Sequence, residues 1–290
     1  MEEDEAIDPK LQAYVNQLMQ AHNQLPVADF QGYSPDEMGK LLYQSFEPGG
    51  LLQLKTLQPE EYEQIPLFRL VQLLALRVSE AGALKLTQTG ALPTKLVSEL
   101  YRLDPRIQDR IIPPRDNMKE ADTVPAHLSR IMLEICGIAK KRHNKLSLTK
   151  AGEKLLGQPA ALLQKLILVY CYKFNWAYFD GYGGNAIGQA GFGFSLALLS
   201  KWGKEERIDH FYAKKYFQAF PHLLDPRLKS QYTDLLTYCS HAYSLRTFDR
   251  FGLYFGLLTT NKPRWDTDKL VVKTELFDKL IQCTPPNGKL

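Results

Sequence analysis

Absences narrow the function of this 290-residue chain before any motif does. Cysteine is sparse: Cys136, Cys171, Cys239 and Cys283 lie far apart and form no C-x-x-C pair, the spacing that zinc and dithiol sites use. Each sits in an apolar run, so buried reduced thiols are expected. The six histidines (His22, His127, His143, His210, His222, His241) make no H-x-x-x-H or H-E-x-x-H pattern, so no metal and no cofactor is expected. Ser195, within Gly193-Phe194-Ser195-Leu196-Ala197, lacks the second glycine of a nucleophile elbow. Gly181, Gly183 and Gly184 follow no strand and precede no G-K-[ST], which excludes a phosphate loop. Glu205-Glu206 and Asp209-His210 read as an exposed helix start. Catalysis is therefore not expected. The most apolar window, 161–179, contains Gln164, Lys165, Lys173 and Asn175, which a bilayer core penalises, and the start Met1-Glu2-Glu3-Asp4-Glu5 has neither a basic nor an apolar leader region. The expectation is a cytoplasmic protein with no membrane contact.

What is present is ordinary in amount and uneven in placement. Apolar content of 44% and aromatic content of 11% suffice for one large domain or two of usual size. Residues 1–64 hold three cations, Lys10, Lys40 and Lys55, against twelve acids, a net of −9, and the remainder carries a net of +13. An acidic arm ahead of a basic body shields that body or keeps it soluble.

Helical periodicity appears over 9–22, through Leu11, Tyr14, Val15, Leu18 and Met19. Ser34-Pro35-Asp36-Glu37 reads as a cap, a first-turn proline and two dipole-complementing acids, opening a helix to about Phe46 that needs a partner for Met38, Leu41 and Leu42. A helix over 68–81 stops at Gly82, Leu84-Lys85-Leu86-Thr87 alternates as a strand, and 93–101 is a second helix. A proline-rich connector leads to a third helix over 127–137 through Leu128, Ile131, Met132 and Ile135. Beyond 158 the pattern is nearly all helical: 160–179 as one long helix, then 192–202, 209–220 and 227–243. Residues 248–282 repeat the theme of 137–150, Gly256-Leu257-Leu258 and Leu270 to Thr274 standing as a candidate second wing.

Residues 137–152 are the centre of this pattern: a short strand, a basic turn at 142–145, a second strand, and a helix capped by Thr149. The order helix, strand, helix, helix, strand, wing, strand, helix is that of a winged helix-turn-helix. L-x-L-T-x-x-G occurs at 84–90 and 146–152, as tandem repeats or, more economically, as two strand-to-helix junctions of one module. LKLTQTGALPTKLVSELY (84–101) with KLSLTKAGEKLL (145–156) resembles winged helices found beside some helicases and in many bacterial regulators. The chain also resembles an uncharacterised bacterial family through GYSPDEM (32–38), LTQTGALPTKLV (86–97), KFNWAYFDGY (173–182) and GFGFSLALLSKWG (191–203), a resemblance that implies no activity. The expected fold is mainly α with small β wings: an acidic N-terminal arm with docked helices at 1–59, a winged-helix module at 60–157, and an α-helical C-terminal domain at 158–290.

Two regions are candidates for function. Lys140, Lys141, Arg142, His143 and Lys145 crowd the turn and, with Arg130 on the third helix, could lie along a phosphate backbone. The alternative is a solvated hairpin tip whose lysines prevent edge pairing. His127, Ser129, Arg130 and Glu134 are a poor set for reading bases, so non-specific nucleic-acid contact is the leading expectation and a protein-partner scaffold the alternative. The aromatic run from Tyr170 to Tyr182 could form a pocket anchored by Asn175, Trp176, Asp180 and Tyr182, although a buried helix ending in a glycine turn explains it more simply.

Overall fold

A computed structural model describes residues 9–106, 115, 117–178, 180–228, 233–261 and 268–287. The protein is mainly helical, about 52% of it, with small antiparallel sheets. The first part comprises α1 (Pro9–Asn23), α2 (Pro35–Tyr43), β1 (Leu52–Leu54), α3 (Pro59–Tyr62), α4 (Pro66–Glu80), β2 (Leu84–Lys85), α5 (Thr94–Tyr101), α6 (Val124–Ile135), β3 (Ala139–Arg142), β4 (Lys145–Leu148) and α7 (Lys150–Leu156). The second comprises α8 (Pro159–Tyr172), α9 (Phe192–Trp202), β5 (Arg207–Ile208), α10 (Asp209–Ala219), α11 (Leu235–Ser244), a π-helical continuation (Leu245–Gly252), β6 (Leu258–Asn261), β7 (Leu270–Lys273), α12 (Glu275–Leu280) and β8 (Ile281–Cys283).

The two parts share one plan. The order α4-β2-α5-α6-β3-β4 is matched by α9-β5-α10-α11-β6-β7, and the sheet orders β2-β4-β3 and β5-β7-β6 are the same. The junctions match bond for bond. Gly137 and Gly256 both turn with positive φ (72° and 67°), a conformation that costs glycine nothing. Thr149 Oγ1 donates to the Gly137 carbonyl at 2.7 Å and its amide to Ile138; Thr274 Oγ1 donates to the Gly256 carbonyl at 2.6 Å and its amide to Leu257. Each threonine then caps the helix that follows. Residues 262–267 of the second hairpin lie outside the described residues.

A single core runs through both parts, including Leu70 and Leu74 of α4, Met132 of α6, Leu166 and Tyr170 of α8, and Phe248 and Phe255. β1 pairs with β8, so the N-terminal region closes on the C-terminal end. The Ser34 capping box forms as its sequence implies, and Met38 and Leu41 are buried, which docks α2. α1 differs from that expectation: Leu11, Tyr14, Leu18 and Met19 are all more than half exposed.

Several expected helix limits shift for local reasons. α6 starts at Val124, with Pro125 in a first turn that needs no proline N–H. Ile135 of its apolar stripe points outward, 39% exposed. α8 stops at Tyr172, not at Phe179, which lies outside the described residues; Asn175 Oδ1 accepts the Ala177 amide and Gln189 Oε1 the Trp176 amide, so side chains compete for the donors a longer helix needs. The helix expected from 227 begins at Leu235, where Asp234 caps it; 229–232 lie outside the described residues. Among the described residues no single helix is long and apolar enough to cross a membrane; α7 and α8 pass that test only as a pair bent by 115°. Cys136, Cys171 and Cys239 are buried and free, and Cys283 is free and half-buried.

Candidate nucleic-acid interface

The β3–β4 hairpin turns on two residues, His143 (φ 48°) and Asn144 (φ 56°), both left-handed, as the tightest hairpins require. Asn144 tolerates that conformation and ties the tip down: its amide group donates to the carbonyls of Leu86 (3.3 Å) and Thr87 (2.7 Å), just past β2.

The register decides what each cation does. Lys85 lies opposite Lys145, and Lys145 opposite Arg142, so three cations from three strands stand in one row. Lys140, opposite Ser147, is on the same face one pleat away. These four side chains are exposed, and none has an acidic partner among the described residues. The other face carries buried Leu146, with Leu84 and Leu148 packed on the core. Lys141 belongs to that other row and reaches around to the Gly90 carbonyl at 3.4 Å. His143 sits exposed at the tip, its Nε2 accepting from Arg142 Nε at 3.2 Å. Lys85, in a strand distant in sequence, was missed; its outward place between Leu84 and Leu86 is visible in the alternation, but only the register puts it beside the hairpin. Like charges directly opposite one another destabilise a sheet, so this row costs stability where no anion offsets it.

Arg130 does not join that face. Its side chain is 13% exposed, ion-paired to Glu120 and Glu134 at 2.9 Å each, and donates to the Gly90 carbonyl at 2.8 Å. His127, one turn earlier, stacks on Tyr178 with ring centroids 5.5 Å apart and 11° between planes. The two basic side chains of α6, His127 and Arg130, are thus engaged by Tyr178, Glu120 and Glu134, which places Arg130 away from the basic sheet face, and the outward strip of α6 carries Ile131, Glu134 and Ile135.

Glu120 organises this corner. Buried, it accepts from the Leu92 amide at 2.6 Å, from Arg130, and from His127 Nδ1 at 3.4 Å. Burial pushes its carboxyl up, but the bonds from His127, Leu92 and Arg130 outweigh this and hold it below the usual glutamate range. A lowered folded pKa means stability that is complete above the unfolded value, about 4.3, and lost as pH falls through the folded value. Glu120→Gln is expected to cost about 2 kcal/mol in urea unfolding at neutral pH. The gap from the wild type should close in acid; a gap unchanged down to about pH 3 refutes the assignment.

The aromatic segment does not gather its four candidates into one pocket. Asp180 and Arg246 form an ion pair with both side chains fully buried. The same guanidinium donates to Asn185 Oδ1 (2.6 Å) and to the carbonyls of Gly183 (3.0 Å), Asn185 (3.0 Å) and Ile187 (3.1 Å), so the glycine-rich turn is wrapped around it. Trp176 is buried with its indole N–H on the Tyr170 carbonyl at 2.9 Å, and Asn175 holds a turn. These three are structural. Tyr182 packs edge-on against Tyr238, and burial raises its hydroxyl pKa.

Tyr182 also lines a polar pocket that sequence reasoning missed, with Asp209, His210, His241, Ser244 and Lys269. Asp209 is not the exposed helix start expected of it: it is 5% exposed, accepting from Ser244 Oγ and from His210 Nδ1 at 3.1 Å. Lys269 joins Ser244 (2.9 Å) to Asp249 (2.7 Å), tying α11 and its continuation to the foot of β7. Ligand atoms of Asp209, His210 and Asp268 fall within 4.8 Å of one another, the one grouping among the described residues with donors a metal ion could use. Adjacent Asp209-His210 was the only sequence signal, and Asp268 is 58 positions further on.

Comparison with known proteins finds similarity over about a third of the chain: a family model described as the Y4jL N-terminal domain matches residues 63–161, from α4 to the first turn of α8. No curated protein and no solved structure matches the chain.

Proposed function

We propose that the protein is a non-enzymatic binding protein built on two winged-helix units, and that the first contacts nucleic acid along the phosphate backbone without reading sequence. The repeated order of helices and strands, with a hairpin closing each sheet, supports the winged-helix assignment. One observation carries the binding role: Lys85, Lys140, Arg142 and Lys145 share the exposed face of β2-β4-β3. In a winged helix the helix equivalent to α6 usually enters the major groove. Here the basic side chains of that helix are held in contacts of their own and its outward strip carries no cation, which favours the wing and sheet face as the surface for phosphates and argues against base readout.

Four cations neutralising four phosphates give a log–log salt slope of about −3.6 for duplex DNA. Lys140→Glu, Arg142→Glu and Lys145→Glu together should abolish binding at moderate salt while leaving the far-ultraviolet dichroism unchanged, since all three side chains are exposed. Fluorescence anisotropy of a labelled duplex across a salt series reads both. Wild-type affinity that is salt-independent, or retained in the triple variant, sinks the proposal. Absence of DNA affinity even at low salt turns the balance to the protein-partner scaffold, which the exposed apolar stripe of α1 favours.

A further inference from the structure

Between α6 and the segment after α8 lies a cavity of about 210 Å³. Its walls are mainly apolar and aromatic: Leu128 and Ile131 of α6 on one side, Phe174 and Tyr178 on the other. Three polar features converge on it. Tyr170, fully buried, lines the cavity, and its hydroxyl meets no hydrogen-bond partner. Unsatisfied buried hydroxyls are costly and uncommon. Arg250 lines it too, its guanidinium held by the carbonyls of Trp176 (3.3 Å) and Tyr178. Arg250 also acts electrostatically on the Tyr170 hydroxyl, easing the rise that burial imposes. The third feature is the N-terminus of α6, lined by Thr123 and Val124; no side chain caps this twelve-residue helix, because Thr123 Oγ1 turns back to the carbonyls of Lys119 and Glu120. A cation, a hydroxyl donor and the positive end of a helix dipole form an anion seat. Asp122 stands at the exposed rim, where water screens it.

Size limits the ligand. Sites for drug-sized molecules run from about 300 to 1,000 Å³, so this one holds a single ring. We propose that the cavity binds a small monocyclic aromatic carboxylate, its ring between Leu128, Phe174 and Tyr178 and its carboxylate on Arg250, the Tyr170 hydroxyl and the N-terminus of α6. The carboxylate would give Tyr170 the acceptor it lacks, and the stacked rings of His127 and Tyr178 line the same cavity. The site is independent of the sheet face proposed for nucleic acid, although α6 connects them: through Gly137 it leads into β3.

Benzoate serves as the probe, with acetate (same charge, no ring) and benzamide (same ring, no charge) as controls, in calorimetric titration and thermal unfolding of the full chain. Benzoate should bind saturably and raise Tm, while acetate should do neither and benzamide should bind much more weakly. Tyr170→Phe removes only the hydroxyl; without ligand it should be at least as stable as the wild type, and it should weaken benzoate by about fivefold. Arg250→Met should weaken it by about tenfold or more. If that variant is poorly folded, the Tyr170→Phe comparison and amide shifts mapping to α6 and residues 174–178 decide alone. No saturable benzoate binding by the wild type, or equal affinity in Tyr170→Phe, overturns the proposal.

Discussion

Arg246→Met is expected to cost about 3–5 kcal/mol, a large share of the roughly 5–15 kcal/mol that keeps an ordinary domain folded. The magnitude follows from what the substitution strands. The Asp180 side chain is fully buried beside Arg246, and without the guanidinium it must stay charged with only the Tyr182 amide to offset it or take up a proton. The carbonyls of Gly183, Asn185 and Ile187 lose their donor at the same moment. Methionine fills the volume of the arginine stem, so a cavity is not the cause. Asp180→Asn tests the partition. It removes the buried charge but keeps an acceptor, and should cost less than Arg246→Met. The double variant should resemble Arg246→Met alone, because both changes act on one network. Urea unfolding of the three variants reads the cycle; an Arg246→Met loss under about 1 kcal/mol means that water reaches the site and the network is not a strut.

The same network shows where sequence reasoning stops. Asp180 stood out for its position after an aromatic run, but its partner is 66 positions away on a π-helical turn that no periodicity marks. Amphipathic helices were legible because α4, α5 and α6 each bury one stripe of Leu, Val and Met against a common core. The hairpin was legible through its alternation, its basic turn and the Thr149 cap. The candidate second wing has its two strands, β6 and β7, in register. The repetition of the whole unit was hidden for a physical reason: β5, as short as β2, sits in Glu206 to Asp209 without the alternating leucines that mark β2, and α11 passes into a π-helical segment whose spacing departs from 3.6. The doubled L-x-L-T-x-x-G motif was a distraction, since both copies lie in the first unit. At the position of Gly152 the second unit carries Phe277, three residues after its capping threonine and fully buried. Two units keep the same backbone bonds while exchanging the side chains a motif search depends on.

Gly152 therefore has a local reason to be glycine, and substituting it gives the second large effect. A Cβ built there would stand 2.1 Å from the Ile138 carbonyl oxygen and 2.7 Å from its carbon and Cα. All three are backbone atoms, and the carbonyl also accepts the Thr149 amide at 2.9 Å, so it cannot step aside without opening the base of the hairpin. Thr149 Oγ1 meanwhile accepts the Gly152 amide at 2.9 Å, which fixes the glycine from its other side. Gly152→Ala should thus cost about 3 kcal/mol, overpacking plus part of a lost cap. The sign makes the test sharp, because glycine to alanine inside a helix ordinarily stabilises by about 0.5–1 kcal/mol. Gly39, inside α2, has nothing within 4 Å of the place an alanine methyl would take, and Gly39→Ala should show that ordinary gain. Opposite signs for the two alanines in thermal or urea unfolding are the expected result. A stabilising Gly152→Ala would mean that α7 does not pack against the start of β3, and the outer sheet face would lose the rigid base that holds Lys140, Arg142 and Lys145 side by side.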